Sequence, residues 1–431
     1  MKYSRLAYLS LLAIGSFACG SPPDHTGGKG GSGDTGGDSG DTGGASGGTG
    51  GKGTGGKTGG TGGGGGGTGG MTAPPDAGPD GGGTMAECPP GDTTLLCKPT
   101  GAFPKTIKET GFFPAGADMS KRPARMIEYS PDPALWSDGM EKARYIVLPK
   151  DGKIDNTKRD AWEFPDGTIF IKTFSDDSGT GGKPRAIETR FIRKGGGLPY
   201  EFYLYKWKAD GSDADLLVDD QSGDINADEN VPVTIKHMEG TQMLMVNGGM
   251  PFMHTLPSRN ACGQCHEENG MKTQTFIGFD EWRLNSMLNG KNQLAEFEAA
   301  GVFMKPLVKP ALTITDPDLR LQRIKRFVFG NCVHCHAGNV VDLHPDVFVA
   351  NTVSKPTNAQ SVMPPPGWFR VTPGSPTTSV LYVQAQRTMI PTMVGGKMVR
   401  MRPMPPVGVA DIAANQEFLA DLAAWITALK K

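Results

Sequence analysis

Two copies of the pentapeptide Cys-x-x-Cys-His limit what this chain can fold into more than any other feature of its sequence. The first copy is Cys-Gly-Gln-Cys-His at residues 262–266, and the second is Cys-Val-His-Cys-His at residues 332–336. Together they contain four of the seven cysteines in 431 residues. Each copy brings two sulfur atoms and an imidazole to one site, so the chain must fold around both motifs.

Cys-x-x-Cys-His is the attachment motif of c-type haem. Two thiols three positions apart can reach the two vinyl groups on one edge of a porphyrin, and the adjacent imidazole can bind the iron. The sequence therefore predicts two covalently bound haem c groups. The predicted attachment residues are Cys262, Cys265, Cys332 and Cys335, and the predicted proximal iron ligands are His266 and His336.

Other uses of paired cysteines fit less well. A thioredoxin-like redox pair usually lies near a βαβ pattern, which neither motif shows. A zinc site with four cysteines would have to bridge the 66 residues between Cys265 and Cys332, far more than a zinc ribbon spans. Neither alternative explains why a histidine follows both pairs. His334, inside the second motif, is interpreted as a spacer residue.

A glycine-rich segment separates the N-terminus from the rest of the chain. Of the 63 glycines, 31 lie between Gly27 and Gly83, and no Phe, Trp or Tyr occurs between Phe17 and Phe103. So little apolar surface cannot offset the entropy lost when a chain becomes ordered. We therefore expect residues 20–86 to form a disordered linker, with a root-mean-square span on the order of 40 Å.

The first 19 residues have the pattern of a secretory signal peptide. Lys2 and Arg5 precede an apolar run at 6–17 that is too short to span a bilayer. Residues 16–19, Ser-Phe-Ala-Cys, resemble a bacterial lipobox. The sequence predicts an exported protein, in the periplasm or on the outer cell surface, held to a membrane by a lipid on Cys19. An ordinary secreted protein and an uncleaved anchor are the alternatives.

Two cysteines remain, Cys88 and Cys97, just after the linker. Export places the protein in an oxidising compartment, where cysteines close together in sequence usually pair. We therefore expect a disulfide between them, with two unpaired thiols as the alternative.

The charge of the chain bears on its partners. The formal net charge is −1, from 44 Lys and Arg and 45 Asp and Glu, without a long run of either sign. Proteins that bind nucleic acids normally carry a basic surface, so no nucleic-acid partner is expected.

Residues 87–258 are predicted to form a β-rich, sandwich-like domain. Short runs alternate apolar and polar residues, and turn sequences such as Pro-Asp-Gly at 165–167 separate them. Such a pattern is typical of antiparallel strands with one face in a core. The predicted strands are 144–148, 168–174, 187–192, 202–207 and 231–235.

Residues 313–431 are predicted to form an all-α cytochrome c domain. Asp-Pro-Asp at 316–318 is typical of a helix start. Apolar residues then recur at helical spacing up to the second motif: Leu321, Ile324 and Val328. A closing helix has an apolar stripe formed by Leu419, Leu422, Ile426 and Leu429. A helix before the motif that packs against a closing helix is the architecture of a class I cytochrome c domain.

Such a domain usually supplies a methionine to the other face of the iron. Met404 lies shortly before the closing helix and is the predicted distal ligand of the second haem. The alternatives are Met363, which also precedes prolines, another methionine, or an open site. A thioether favours ferrous iron, so ligation by His336 and Met404 would raise the reduction potential.

Residues 259–312 are predicted to hold the first haem, in a setting that the sequence defines less sharply. The motif follows a segment with strand character, and residues 292–303 predict a helix after it. His254 is interpreted as a hydrogen-bonded histidine in a strand or loop. It remains a candidate for the sixth iron ligand, together with Met250, Met253, Met271 and Met304.

Segments across the rest of the chain add to the two motifs. They are ALWSDGMEKAR (134–144), WEFPDGTIFIKTF (162–174), ETRF (188–191), YKWKADGSDADLL (205–217), NQLAEFEAAGVF (292–303), VTPGSPTTSVLY (371–382) and MPP (404–406). With the motifs, they resemble a family of exported bacterial dihaem c-type cytochromes with a β-rich N-terminal portion and a C-terminal class I cytochrome c domain. The resemblance runs from about Phe112 to the C-terminus. It implies electron transfer in the periplasm or at the cell surface, sometimes alongside quinoprotein-dehydrogenase-like partners.

The leading interpretation is a cytochrome that carries electrons from a dehydrogenase to a cytochrome or oxidase acceptor and is not itself an enzyme. One alternative is a peroxidase-like dihaem oxidoreductase, whose first haem has an open coordination position and whose second haem supplies electrons. The other alternative is a surface binding module, in which the β-rich domain recognises a ligand. The sixth ligand of the first haem separates the first two interpretations.

Overall fold

A six-stranded antiparallel sheet forms the centre of the structure. Its strands follow one another in sequence order, each hydrogen-bonded to the next, because antiparallel neighbours need only short connections. The predicted strands at 144–148, 168–174, 187–192 and 202–207 are confirmed as β2 to β5. The strands are β1 (Ile127–Glu128), β2 (Glu141–Val147), β3 (Ile169–Asp176), β4 (Arg185–Lys194), β5 (Tyr200–Trp207) and β6 (Ala214–Val218).

This computed structural model describes residues 88, 91–159, 161–195, 200–218, 229–239, 242–266, 276–337, 341–357, 367–386, 391–394, 397–400, 404 and 416–430. The predicted signal peptide with Cys19 and the predicted linker lie outside the described residues. The alternative iron ligands Met271 and Met363 also lie outside them. All described residues belong to one compact unit.

One face of the sheet packs against the segment that precedes it in sequence. The inward side chains of this face include Tyr145, Ile171, Phe191 and Tyr203, which are cross-strand partners on four neighbouring strands. Residues of the 91–126 segment cover them and complete a buried core: Leu95, Ile107, Phe112, Phe113 and Met126. The predicted disulfide is confirmed: Cys88 and Cys97 are bonded at the start of this segment.

The opposite face of the sheet has two separate apolar cores. Two-stranded ribbons cover one end, and helices and loops cover the other. Within the described residues, no second sheet of comparable size covers this face. The prediction is therefore confirmed for the β-rich character of the region but not for a sandwich. The ribbons pair β7 (Glu229–Val233) with β10 (Phe252–Leu256) and β8 (Lys236–Glu239) with β9 (Gln242–Met245).

Short elements follow the ribbons and carry the chain away from the sheet. The predicted helix at 292–303 is confirmed in part, because it ends at Ala299. Leu294 and Phe297 of this helix pack into the core at the second end of the sheet face. The elements are α1 (Arg259–His266), α2 (Glu281–Leu284), β11 (Met287–Leu288), β12 (Lys291–Asn292) and α3 (Gln293–Ala299).

The C-terminal part is mainly helical, but it is not all-α as predicted, because Pro391–Val394 and Lys397–Arg400 pair as an antiparallel ribbon. Asp318 caps the helix before the second motif by accepting a hydrogen bond from the Arg320 backbone N–H (2.9 Å). The rings of Phe327 and Phe418 stack at 3.9 Å, so this helix packs against the closing helix. The elements are α4 (Leu319–Asn331), α5 (Phe348–Thr352), α6 (Val380–Ala385), β13 (Pro391–Val394), β14 (Lys397–Arg400) and α7 (Gln416–Ala428). None of the described helices is both long and apolar enough to cross a bilayer.

Candidate functional site

The second motif continues directly from α4. The Cys332 backbone N–H donates to Val328 O (2.8 Å), and the His336 N–H donates to Cys332 O (2.9 Å). These bonds wind the motif as turns that extend the helix. Because the apolar stripe of α4 is buried against α7, the position of the motif is fixed by the same packing that forms the C-terminal core.

The His336 imidazole lies at the edge of that core. Its Nδ1 atom is buried and has no hydrogen-bond partner among the described residues. Burial, together with the nearby Arg370 guanidinium, lowers the pKa of His336. A neutral imidazole keeps a lone pair for a metal, and its second nitrogen needs a partner when the ring is bound. The unpartnered Nδ1 atom of His336 is therefore compatible with a bound group that the protein chain alone does not supply.

The Cys332 thiol is half-buried and unpaired. Burial, with Cys335 beside it, raises the pKa of Cys332 to about 12. A redox-active Cys-x-x-Cys pair needs the opposite, a cysteine whose pKa lies below its usual value. The surroundings of this motif therefore disfavour a thioredoxin-like activity.

Met404 lies close to the end of α6. Its backbone N–H donates to Gln384 O (3.0 Å), and the residue is half-buried. Gln384 belongs to a helix whose Ala385 is part of the same core as α4 and α7. The described structure therefore anchors the Met404 backbone at the core that the second motif borders.

His334 differs from a simple solvent-facing spacer. It is buried, and its Nδ1 has no hydrogen-bond partner in the described part of the chain. Burial, with the charges of Arg283 and His336, lowers the pKa of His334 to about 4. The sequence offered no signal for this burial, because the residue lies between two cysteines rather than in an apolar pattern.

The first motif forms α1, which packs against β5 of the central sheet. The His266 ring lies 5.7 Å from the Phe202 ring, and the Arg259 guanidinium lies 5.7 Å from the same ring. Cys262 and His266 are half-buried. Cys262 also lies close enough to Lys172 on β3 to affect the pKa of that lysine. The motif therefore lies over the part of this sheet face that is between the two apolar cores.

The candidate sixth ligands of the first motif that the structure describes are poorly placed. His254 on β10 is a hydrogen-bonded strand residue, as predicted, with Nε2 3.0 Å from Glu188 Oε1. Met250, Met253 and Met304 are 65%, 51% and 58% exposed. Because an iron ligand beside a porphyrin face is normally shielded from water, none of these methionines is in a ligand-like setting.

A short segment, residues 132–138, connects the second motif with the central sheet. The Trp136 backbone N–H donates to Asn331 Oδ1 (2.7 Å), directly before Cys332. In the same segment, Leu135 O accepts a hydrogen bond from Lys142 Nζ on β2. The segment therefore fixes the second motif relative to the sheet on which the first motif packs.

Sequence reasoning missed a set of basic side chains beneath the first motif: Lys142, Arg144, Lys172 and Arg190. A signal was present, because Lys172 lies in phase with Phe170 and Phe174 on the inward side of a strand. Among the described residues, no three His, Cys, Asp or Glu side chains come together to hold a metal ion directly. Basic residues in an inward phase indicate a buried anion rather than a bare cation site.

Comparisons with known proteins add no match. No protein family, curated protein or solved structure matches this chain at a significant level.

Proposed function

We propose that this chain is an exported dihaem c-type cytochrome that carries electrons between a periplasmic or surface dehydrogenase and an acceptor. The observation that carries the proposal is the repeated Cys-x-x-Cys-His motif. The orphaned Nδ1 of His336 and the raised pKa of Cys332 support it, because they fit a haem and disfavour a thiol redox pair.

The residues of each motif would divide the work of holding one haem. A bound haem supplies one-electron redox chemistry at its iron. Cys262 and Cys265 would hold one haem through thioether bonds, and Cys332 and Cys335 would hold the other. His266 and His336 would each supply an imidazole nitrogen to the iron of their haem.

The proposal includes a class I cytochrome c domain at residues 313–431. The packing of α4 against α7, with the second motif at the end of α4, supports this assignment. Met404, anchored to α6, is the proposed distal ligand of the second haem. Its thioether stabilises ferrous iron and sets a high potential for the outgoing electron.

The proposed location follows from the N-terminal sequence. A signal peptide at 1–19 exports the chain, and a lipid on Cys19 anchors it to a membrane. The glycine-rich linker then lets the folded part reach protein partners away from the membrane surface. Those partners are a dehydrogenase that donates electrons and a cytochrome or oxidase that accepts them.

Counting haems tests the proposal. Expressed with a haem-attachment system and exported, the protein is expected to gain the mass of two haems. The variant Cys262→Ala/Cys265→Ala and the variant Cys332→Ala/Cys335→Ala should each lose one. The control Cys88→Ser/Cys97→Ser removes two cysteines that are disulfide-bonded and should keep both haems. Intact-mass measurement of a mature product with four unmodified motif thiols would refute the function.

A peroxidase-like dihaem oxidoreductase is the second candidate. The exposure of Met250, Met253 and Met304 favours it, because an unligated first iron would have an open face. Under the leading proposal, both haems are low spin and their absorption spectra do not change when cyanide is added. A high-spin haem that binds cyanide, and that disappears in Cys262→Ala/Cys265→Ala, would move the assignment to the enzyme.

A further inference from the structure

Three basic residues form a row across the sheet face beneath the first motif. Arg144 on β2 is the cross-strand partner of Lys172 on β3, which is the partner of Arg190 on β4. Directly opposite residues in a sheet point to the same face, and like charges placed this way are destabilising. Such a row needs an anion nearby.

The row is largely shielded from water. Arg144 is 6% exposed, and its Nη2 atom has no hydrogen-bond partner among the described residues. In the same part of the structure, the Lys172 ammonium lies 5.2 Å from the Phe174 ring. A fourth cation, Lys142, lies two positions before Arg144 on the same side of β2. A buried charged donor without a partner is costly, so the Arg144 Nη2 atom indicates a missing acceptor.

The nearby carboxylates do not balance these charges. Glu188 accepts a hydrogen bond from Arg190 Nε (2.9 Å) and is also bonded to His254. The charge of a second carboxylate, Asp138, acts on Lys142. Among the described residues, two carboxylates therefore face four basic side chains. Burial, with Arg190 and Arg144 close by, lowers the pKa of Lys172 to about 7.

The surroundings of the row define the kind of ligand that would fit. Its neighbours on one side are Ile146, Phe170 and Phe202, and Phe202 lies under the His266 ring. The core of the ribbons begins on the other side, with Leu204 and Phe174. Cys262 lies beside Lys172. A ligand here would be mainly apolar, would carry two negative charges, and would lie within reach of the first motif.

We propose that Arg144 and Lys172 bind the two propionate carboxylates of the haem attached at Cys262 and Cys265. The inference rests on the proposed function, because it needs a haem at the first motif. The two propionates supply the two negative charges that the cluster lacks. The Arg144 guanidinium gains the acceptor that its Nη2 atom lacks among the described residues, and the Lys172 ammonium gains an ion pair.

Redox titration of the two-haem protein tests this assignment. Lys172→Met and Arg144→Met each remove the charge and keep an unbranched, flexible side chain. Each should lower one midpoint potential, because a nearby positive charge favours the reduced iron. At a fixed applied potential, the ratio of oxidised to reduced first haem should rise at least threefold. Lys208→Met, which removes an exposed charge just after β5, should change neither haem.

Thermal unfolding adds a readout that a merely structural role would not move. Lys172→Met should lower the melting temperature of the two-haem protein but raise that of the Cys262→Ala/Cys265→Ala variant, where the cations repel one another without an anion. If both Lys172→Met and Arg144→Met had unchanged midpoint potentials and still carried two haems by mass, the inference would be overturned but the proposed function would stand. Absence of haem from Cys262 and Cys265 would remove the proposed function of the first motif and the inference together. If inorganic phosphate raised the melting temperature of the Cys262→Ala/Cys265→Ala variant as much as the first haem does in the native protein, the cluster would be a site for a free anion. That result would overturn the inference.

Discussion

Under the proposed function, replacing Met404 with Ala is expected to convert the second haem from low spin to high spin and to lower its midpoint potential by on the order of 0.1 V or more. Axial ligands can move haem potentials across roughly 0.8 V, so the loss of one ligand is a large change. A thioether stabilises ferrous iron, and the water that would replace it does so less well. The first haem should keep its spectrum and its potential.

The structure gives this prediction a specific basis. The Met404 backbone is hydrogen-bonded to Gln384 on α6, and α6 packs in the core beside which His336 lies. The main chain at Met404 is therefore held in place by packing and does not depend on the iron for its position. Removal of the side chain should cost coordination without unfolding the domain.

Optical and electron paramagnetic resonance spectra of the oxidised protein measure the spin state, and a redox titration measures the potentials. Met398→Ala is the matched control, because it removes a methionine from β14, six residues earlier in the same run. The control should leave both haems unchanged. If the Met404→Ala variant kept two low-spin haems and one haem of the Met398→Ala variant became high spin, the ligand would be Met398 and not Met404.

The sequence predicted the parts of this fold that depend on local patterns. Strands β2 to β5 alternate apolar and polar residues, and the start of α4 has Asp318 as its cap. The disulfide could be predicted because Cys88 and Cys97 are close in sequence and no other cysteine was left to pair with them. In each case the contacting residues lie within a few positions of one another.

The sequence did not predict the features that depend on distant contacts. The row of Arg144, Lys172 and Arg190 exists only because three strands align in one register, and register follows from pairing that no single strand reveals. The bond from Trp136 to Asn331 joins residues 195 positions apart. Residues 134–144 stood out only through a family resemblance, and the structure now supplies a physical role, since this segment connects the second motif to the sheet.

Glu188→Gln is expected to destabilise the fold by on the order of 3 kcal/mol at neutral pH. The carboxylate is fully buried between Arg190 and His254, and its charge also acts on Lys172 of the neighbouring strand β3. An amide keeps the shape and some hydrogen bonds but removes the charge. The buried cations then lose one of the two carboxylates that face them. Chemical denaturation followed by circular dichroism measures the change in the free energy of unfolding.

The pH dependence of this effect has a defined direction. Arg190 and His254 outweigh the effect of burial and lower the pKa of Glu188 from 4.5 to about 2. The unfolded chain therefore takes up a proton on this carboxyl at higher pH than the folded chain does. The stabilisation is fully present above about pH 4.5 and is lost as the pH falls towards 2, a change on the order of 3 kcal/mol.

The difference in unfolding free energy between the native protein and Glu188→Gln isolates this contribution, because the other carboxyl groups titrate in both. That difference should be constant between pH 5 and 7 and should shrink steadily below about pH 4.5. Glu163→Gln, which removes an exposed carboxylate 3.9 Å from Lys158, should show a small difference at every pH. A difference for Glu188→Gln that stayed constant down to pH 3 would mean that the pKa of this carboxyl is the same in the folded and the unfolded chain, which would contradict the prediction.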